Sequence, residues 1–176
     1  YIGDDCTGMT ETADAKGLIV FTGIRGFLFQ SHVQDRTIWL DMENFQSIIF
    51  PKTGCVAPRS IVVQYGLIWW FSSGGLISSD QAMQSNSTSR LDIQDNEMIC
   101  SKGNVGPDLS MICSATFENY LLISVPSGHV LNRHTWCLDQ AVFEGPVNAW
   151  SSYWTGWNPV QWSRGSVDGE ERIFFL

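Results

Sequence analysis

Ser127, His129 and Asp139 are the closest this chain comes to a nucleophile, a base and an acid within one short stretch. Hydrolysis by such a set needs the hydroxyl held against the imidazole on an exposed elbow. No G-x-S-x-G elbow surrounds Ser127, and Pro126-Ser127-Gly128 reads as turn chemistry instead. His129 and His134 stand five apart, a spacing that suits neither one helix face nor an H-E-x-x-H zinc site, and His32 lies far upstream. Glycoside hydrolysis requires two carboxylates about 5 to 10 Å apart. Asp92 with Asp95 and Glu170 with Glu171 are sequence neighbours in polar stretches, as expected of a solvated surface. Gly23-Ile24-Arg25-Gly26 lacks the third glycine and the following helix of a phosphate loop. The sequence thus predicts no catalytic residue, no cofactor and no metal site, and a chain that is not an enzyme.

Cys6, Cys55, Cys100, Cys113 and Cys137 are odd in number and include no C-x-x-C pair, so they read as reduced, buried thiols; two bridges and one spare thiol are the alternative. Asn86-Ser87-Thr88 is a formal glycosylation sequon, meaningful only in a secreted chain. The aromatic cluster Trp150, Tyr153, Trp154, Trp157 and Trp162 has two readings. It packs between sheets as core, or it is exposed and forms a contact surface of the kind that binds host glycans.

The elements that would carry these residues are strands. The 176 residues are 44% hydrophobic, with 8 tryptophans and only 16% charged residues, enough for one domain with a substantial core. A formal charge of -8 disfavours gripping nucleic acid but suits a wall past which DNA slides. No apolar stretch is long enough to span a bilayer. Leu18-Ile19-Val20-Phe21, Leu67-Ile68-Trp69-Trp70-Phe71, Tyr120-Leu121-Leu122-Ile123-Ser124-Val125 and Ile173-Phe174-Phe175-Leu176 are continuous apolar runs. Adjacent strand residues point opposite ways, so such runs imply sheets covered on both faces, with Trp69 and Trp70 both buried. The best helical candidates, residues 80–90 and 42–50, are weak, and no crossover helix supports a parallel sheet.

Turn signals at Ser72-Ser73-Gly74-Gly75, Pro126-Ser127-Gly128 and Asp168-Gly169 fit antiparallel hairpins. Hairpins over residues 61–71, 111–125 and 160–176 begin at Ile61, Met111 and Val160, intervals of 50 and 49 residues. That period matches a four-stranded propeller blade. The fold expected is all-β, a single domain of antiparallel four-stranded blades from part of a β-propeller, with a β-sandwich as the alternative. Residues 54–176 carry the blade-like repeats; residues 1–50 are poorly assigned. The absence of an initial Met and the terminal apolar run suggest a piece of a longer chain. The Ser-x-Asp-x-Gly-x-x-Trp box of sialidases is absent, which leaves a hydrolase on a propeller scaffold the least supported reading.

The stretch Gly54-Cys55-Val56-Ala57-Pro58-Arg59-Ser60-Ile61-Val62-Val63, with Tyr65-Gly66-Leu67-Ile68-Trp69-Trp70-Phe71-Ser72-Ser73-Gly74-Gly75, resembles a blade of tailed-bacteriophage structural proteins. These are the propeller-bearing tail tube, nozzle and tail-accessory proteins. Asn119-Tyr120-Leu121-Leu122-Ile123-Ser124-Val125-Pro126, with Thr135-Trp136-Cys137-Leu138-Asp139, is similar to a following blade. The resemblance covers residues 55–176. It implies a virion tail protein assembled in the host cytoplasm as a homo-oligomer with other virion proteins, DNA passing through its lumen, and no catalytic residue. A carbohydrate- or receptor-binding propeller is the competing function, motivated by the tryptophan cluster.

Overall fold

The computed structural model describes residues 4–12, 17–30, 46–73, 75–80, 88–90, 108–126, 134–139 and 150–176. Among them every regular element is a β-strand or a short 3-10 turn, and no helix is long and apolar enough to cross a membrane. The first sheet is β1 (Cys6–Glu11), β2 (Gly17–Thr22), β3 (Gly26–Gln30) and β4 (Gln46–Phe50). The second is β5 (Val62–Gln64), β6 (Leu67–Ser72), β7 (Gly75–Asp80) and β8 (Thr88–Arg90). The third is β9 (Cys113–Phe117), β10 (Tyr120–Val125), β11 (His134–Asp139) and β12 (Trp150–Thr155). A final pair, β13 (Trp162–Val167) and β14 (Glu170–Phe175), makes a two-stranded sheet. Each sheet is an antiparallel meander whose spatial order follows the chain.

The three hairpins expected from the repeat are present as antiparallel pairs: β5 with β6, β9 with β10, and β13 with β14. All three close through two-residue turns whose first residue has positive φ: Tyr65 at 51°, Glu118 at 51° and Asp168 at 54°. In the first and last a glycine follows, Gly66 at 76° and Gly169 at 82°. Two successive positive φ values are the hairpin geometry whose twist matches that of the flanking strands. The starts shift by one or two residues. Ile61 and Met111 belong to the approach rather than to the strand, because the 3-10 turns Pro58–Ser60 and Leu109–Met111 precede β5 and β9. Val160 precedes β13, although its N–H already donates to the Leu176 carbonyl at 2.6 Å.

Residues 1–50, poorly assigned from sequence, supply the whole first sheet. β1 reads Cys-Thr-Gly-Met-Thr-Glu, too polar to announce a strand, and it is recruited by register with β2. The helical candidates are strands wherever they are described: β4 occupies 46–50 and β8 occupies 88–90, while 42–45 and 81–87 lie outside the described residues. Ile48-Ile49-Phe50 is β-branched and aromatic, and pairing with β3 decides its state.

Each apolar run becomes the second strand of a sheet, and in β6 and β10 alternate side chains enter different cores. β2 sends Ile19 and Phe21 into one core, and in β14 Phe174 and Phe175 stay about half exposed, against the expectation that this run too is covered on both faces. Ile68 and Trp70 of β6 pack with Ile19, Phe21, Phe50 and Ile77 between the first and second sheets. Trp69 and Phe71 point the other way, to Leu76, Ile112, Leu121, Ile123 and Leu138 between the second and third. Leu122 of β10 joins Cys113, Cys137 and Trp162 between the third and the last. Both Trp69 and Trp70 are 0% exposed. Trp70 lies 5.1 Å from the Phe21 ring and 4.8 Å from the Phe50 ring, tilted on each, while those two phenyl rings are nearly parallel at 6.0 Å. Among the described residues, four sheets therefore stack face to face in chain order with three separate interlayer cores.

The passage from first to second sheet is fixed by backbone contacts. Cys55 N–H donates to the Thr22 carbonyl at 2.9 Å and Val56 N–H to the Phe71 carbonyl at 3.0 Å. The buried Ser60 hydroxyl donates to the Ala57 carbonyl at 2.7 Å and accepts from the Phe71 N–H at 2.8 Å. Gly54 lies so close that a Cβ there would meet Thr22 O and Ile24 N, each at 2.3 Å. Only glycine permits that approach.

Candidate functional site

Chemistry-bearing side chains converge most closely between the third sheet and the last. Gly156, with φ of 87°, turns the chain out of β12 and places Trp157 at the mouth of the gap. The connection is pinned from below: Cys113 Sγ donates to the Pro159 carbonyl at 3.5 Å, and the Arg59 guanidinium donates to the Val160 carbonyl at 3.1 Å. Trp162 then opens β13 and turns its indole inward, 7% exposed. Its Nε1–H donates to Ser124 Oγ at 2.9 Å, and Ser124 Oγ lies 2.9 Å from Thr135 Oγ1.

A cleft of about 560 Å³ lies here. Trp154, Trp157 and Trp162 form one wall, with the ring centroids of successive indoles 5.3 and 6.5 Å apart and tilted by 53° and 54°. Trp157, 43% exposed, lies flat on Phe175 at 5.3 Å with only 12° between planes. Phe117, Tyr120, Leu122 and Ile173 close the other sides, while Ser152 and Cys137 add the few polar atoms of the β11 and β12 strands. Glu118, exposed in the β9–β10 turn, is the only acidic or basic side chain among the described residues of the lining. The nearby Arg164 on β13 is engaged by Glu171, which accepts from its Nε at 2.6 Å.

The structure thus brings together Trp154, Trp157 and Trp162 from the predicted aromatic cluster. Trp162 is core, Trp157 is half exposed, and Trp154 lies between the two, so the cluster is both core and surface. Trp150 and Tyr153 sit on β12 with backbone partners Leu138 and Trp136, and their side chains lie outside the described residues. Sequence reading missed Phe117, Glu118, Tyr120 and Phe175. The signal was the turn itself, because a two-residue hairpin at Glu118-Asn119 brings Phe117 and Tyr120 opposite each other.

The remaining candidates stay apart. Ser127, His129, His32, Asp92, Asp95 and Cys100 lie outside the described residues. His134 starts β11 opposite Thr155, and Asp139 ends it opposite Tyr120. Glu170 and Glu171 are consecutive on β14 and so project to opposite faces; they cannot converge on one bond. Among the described residues no three His, Cys, Asp or Glu side chains gather as metal ligands. Four described cysteines are free thiols; Cys55, Cys113 and Cys137 are buried, but Cys6 is exposed on β1, against the expectation of uniformly buried thiols. Burial pushes the Cys55 thiol up to about 11, against its hydrogen bonds to Ala57 and Ser60, which act in the lowering direction. That thiol is protonated and unreactive at neutral pH. No family model and no curated protein matches the chain.

Proposed function

We propose that the chain is a run of consecutive β-propeller blades and serves as a structural component of a bacteriophage virion tail, of the tube, nozzle or tail-accessory kind. Its work is assembly and the framing of a DNA conduit, as a homo-oligomer among other virion proteins, put together in the host cytoplasm. The observation that carries this reading is β6, whose adjacent Trp69 and Trp70 are buried in two different cores. A two-layer sandwich has one core between its sheets, whereas stacked blades need a core on both sides of each internal sheet. The three hairpins with their matched positive-φ turns support repetition of one blade plan. The charge of -8 supports a surface that lets DNA pass without holding it.

Light scattering on the native protein, paired with filter binding of duplex DNA at low salt, tests the reading. A multiple of the protomer mass and no retention of DNA are expected. A strict monomer, or tight salt-sensitive retention, would contradict it.

A further inference from the structure

We propose that the cleft between the third sheet and the last binds a small organic cation of the quaternary ammonium type. The argument starts from the indoles. Trp157 stacks on Phe175 yet keeps 43% of its surface exposed, and Trp154 and Trp162 continue the wall on tilted planes. A cation over an indole face is attracted by the ring quadrupole, most strongly where water is displaced.

Charge complementarity narrows the ligand. Among the described residues Glu118 is the only charged group of the lining, and none of them sets a basic side chain opposite it. An anion would meet repulsion and no donor arginine, because Arg164 is held by Glu171. The chain as a whole adds a field of the same sign, with a formal charge of -8.

Hydrogen-bonding capacity narrows it further. A saccharide would stack on Trp157, but each hydroxyl it buries must find a partner. The described residues of the lining supply little beyond Glu118, the Tyr120 hydroxyl and Ser152, and the Trp162 N–H is already spent on Ser124. A primary ammonium brings three N–H donors of its own to this sparse set. A trimethylammonium group presents only methyls around its charge and leaves nothing unsatisfied. The volume of about 560 Å³ accommodates such a group with a short tail.

Choline chloride, followed by calorimetry and by the tryptophan indole N–H resonances, tests this against 3,3-dimethylbutan-1-ol, its uncharged isostere, and against cellobiose. Choline is expected to bind about tenfold more tightly than the isostere at equal ionic strength. Trp157→Ala should abolish that binding. Glu118→Gln, a change at an exposed turn residue that leaves the fold alone, should weaken choline about fivefold and leave the isostere unaffected. Equal binding of the isostere, undiminished choline binding by either variant, or no choline binding at tens of millimolar would overturn the proposal. Saturable cellobiose binding lost in Trp157→Ala would overturn it in favour of a glycan site.

Discussion

Trp162 of β13 donates its indole N–H to Ser124 Oγ of β10 at 2.9 Å, so that the last hairpin is tied to the middle of the third sheet by a directional bond within an apolar core. Ser124 is 0% exposed and shares its hydroxyl with Thr135 on β11, which makes three strands from two sheets parties to one buried polar chain. A buried donor without an acceptor is costly, so the site specifies how β13 sits as well as holding it there.

Trp162→Phe should therefore lower stability by about 1 to 2 kcal/mol, retaining the ring and losing the bond, whereas Trp162→Ala should cost about 3 to 5 kcal/mol. Ser124→Ala leaves the indole N–H unpartnered. Urea melts of both singles and of the Trp162→Phe, Ser124→Ala double should return a coupling of about 1 kcal/mol. Simple additivity would mean that the bond contributes nothing.

Trp69→Ala and Trp70→Ala should each destabilise by about 3 to 5 kcal/mol, because each empties a different interlayer core. The two cores share β6 but no apolar side chain, so the penalties should add when thermal unfolding of the double variant is compared with the singles. A near-native melting temperature for either single would refute burial on both faces.

Gly54 and Gly66 separate two reasons for glycine. At Gly54 an added methyl strikes backbone atoms of Thr22 and Ile24 that cannot yield, and Gly54→Ala should cost about 3 kcal/mol or more. At Gly66 the space is open and only the φ of 76° resists, so Gly66→Ala should cost about 1 to 2 kcal/mol. Chemical denaturation ranks the two; the reverse order would place the first two sheets differently from the account above.

Cys55 contributes a pH dependence of definite sign. Its folded value of about 11 lies above the ordinary 9.0, so the unfolded chain gives up this proton more readily. The contribution is fully present below pH 9 and is lost as pH rises from 9 through 11, on the order of 2 kcal/mol. Cys55→Ser or Cys55→Ala should flatten that part of the stability profile. Alkylation followed by mass spectrometry should label Cys6 on the native protein and Cys55 only after unfolding.

What the sequence made legible was the second strand of each sheet. In β6 and β10 the residues enter cores on both sides, and in β2 Ile19 to Thr22 are all buried, so burial writes a continuous apolar run into these strands, and Trp69-Trp70 could be read as facing two layers. The other strands have mixed surroundings. β1 and β13 are largely polar, and their pairing is imposed by the neighbour strand and by a turn rather than by their own pattern. For that reason the first sheet went unassigned. The aromatic cluster was visible as composition, but not its division into anchored Trp162 and half-exposed Trp157, which depends on a hydroxyl thirty-eight residues away. Phe117 and Glu118 were hidden because Phe117-Glu118-Asn119 reads as the connection between two strands, whereas Phe117 is the last residue of β9 and pairs with Tyr120.

Single-particle imaging of the native protein at a resolution that separates strands tests the blade arrangement most directly. The account predicts that the sheets beginning at β1, β5, β9 and β13 appear as successive blades around one axis, in a closed ring within a homo-oligomer. Two packed layers sharing a single core, or a stack of sheets with no common axis, would contradict it.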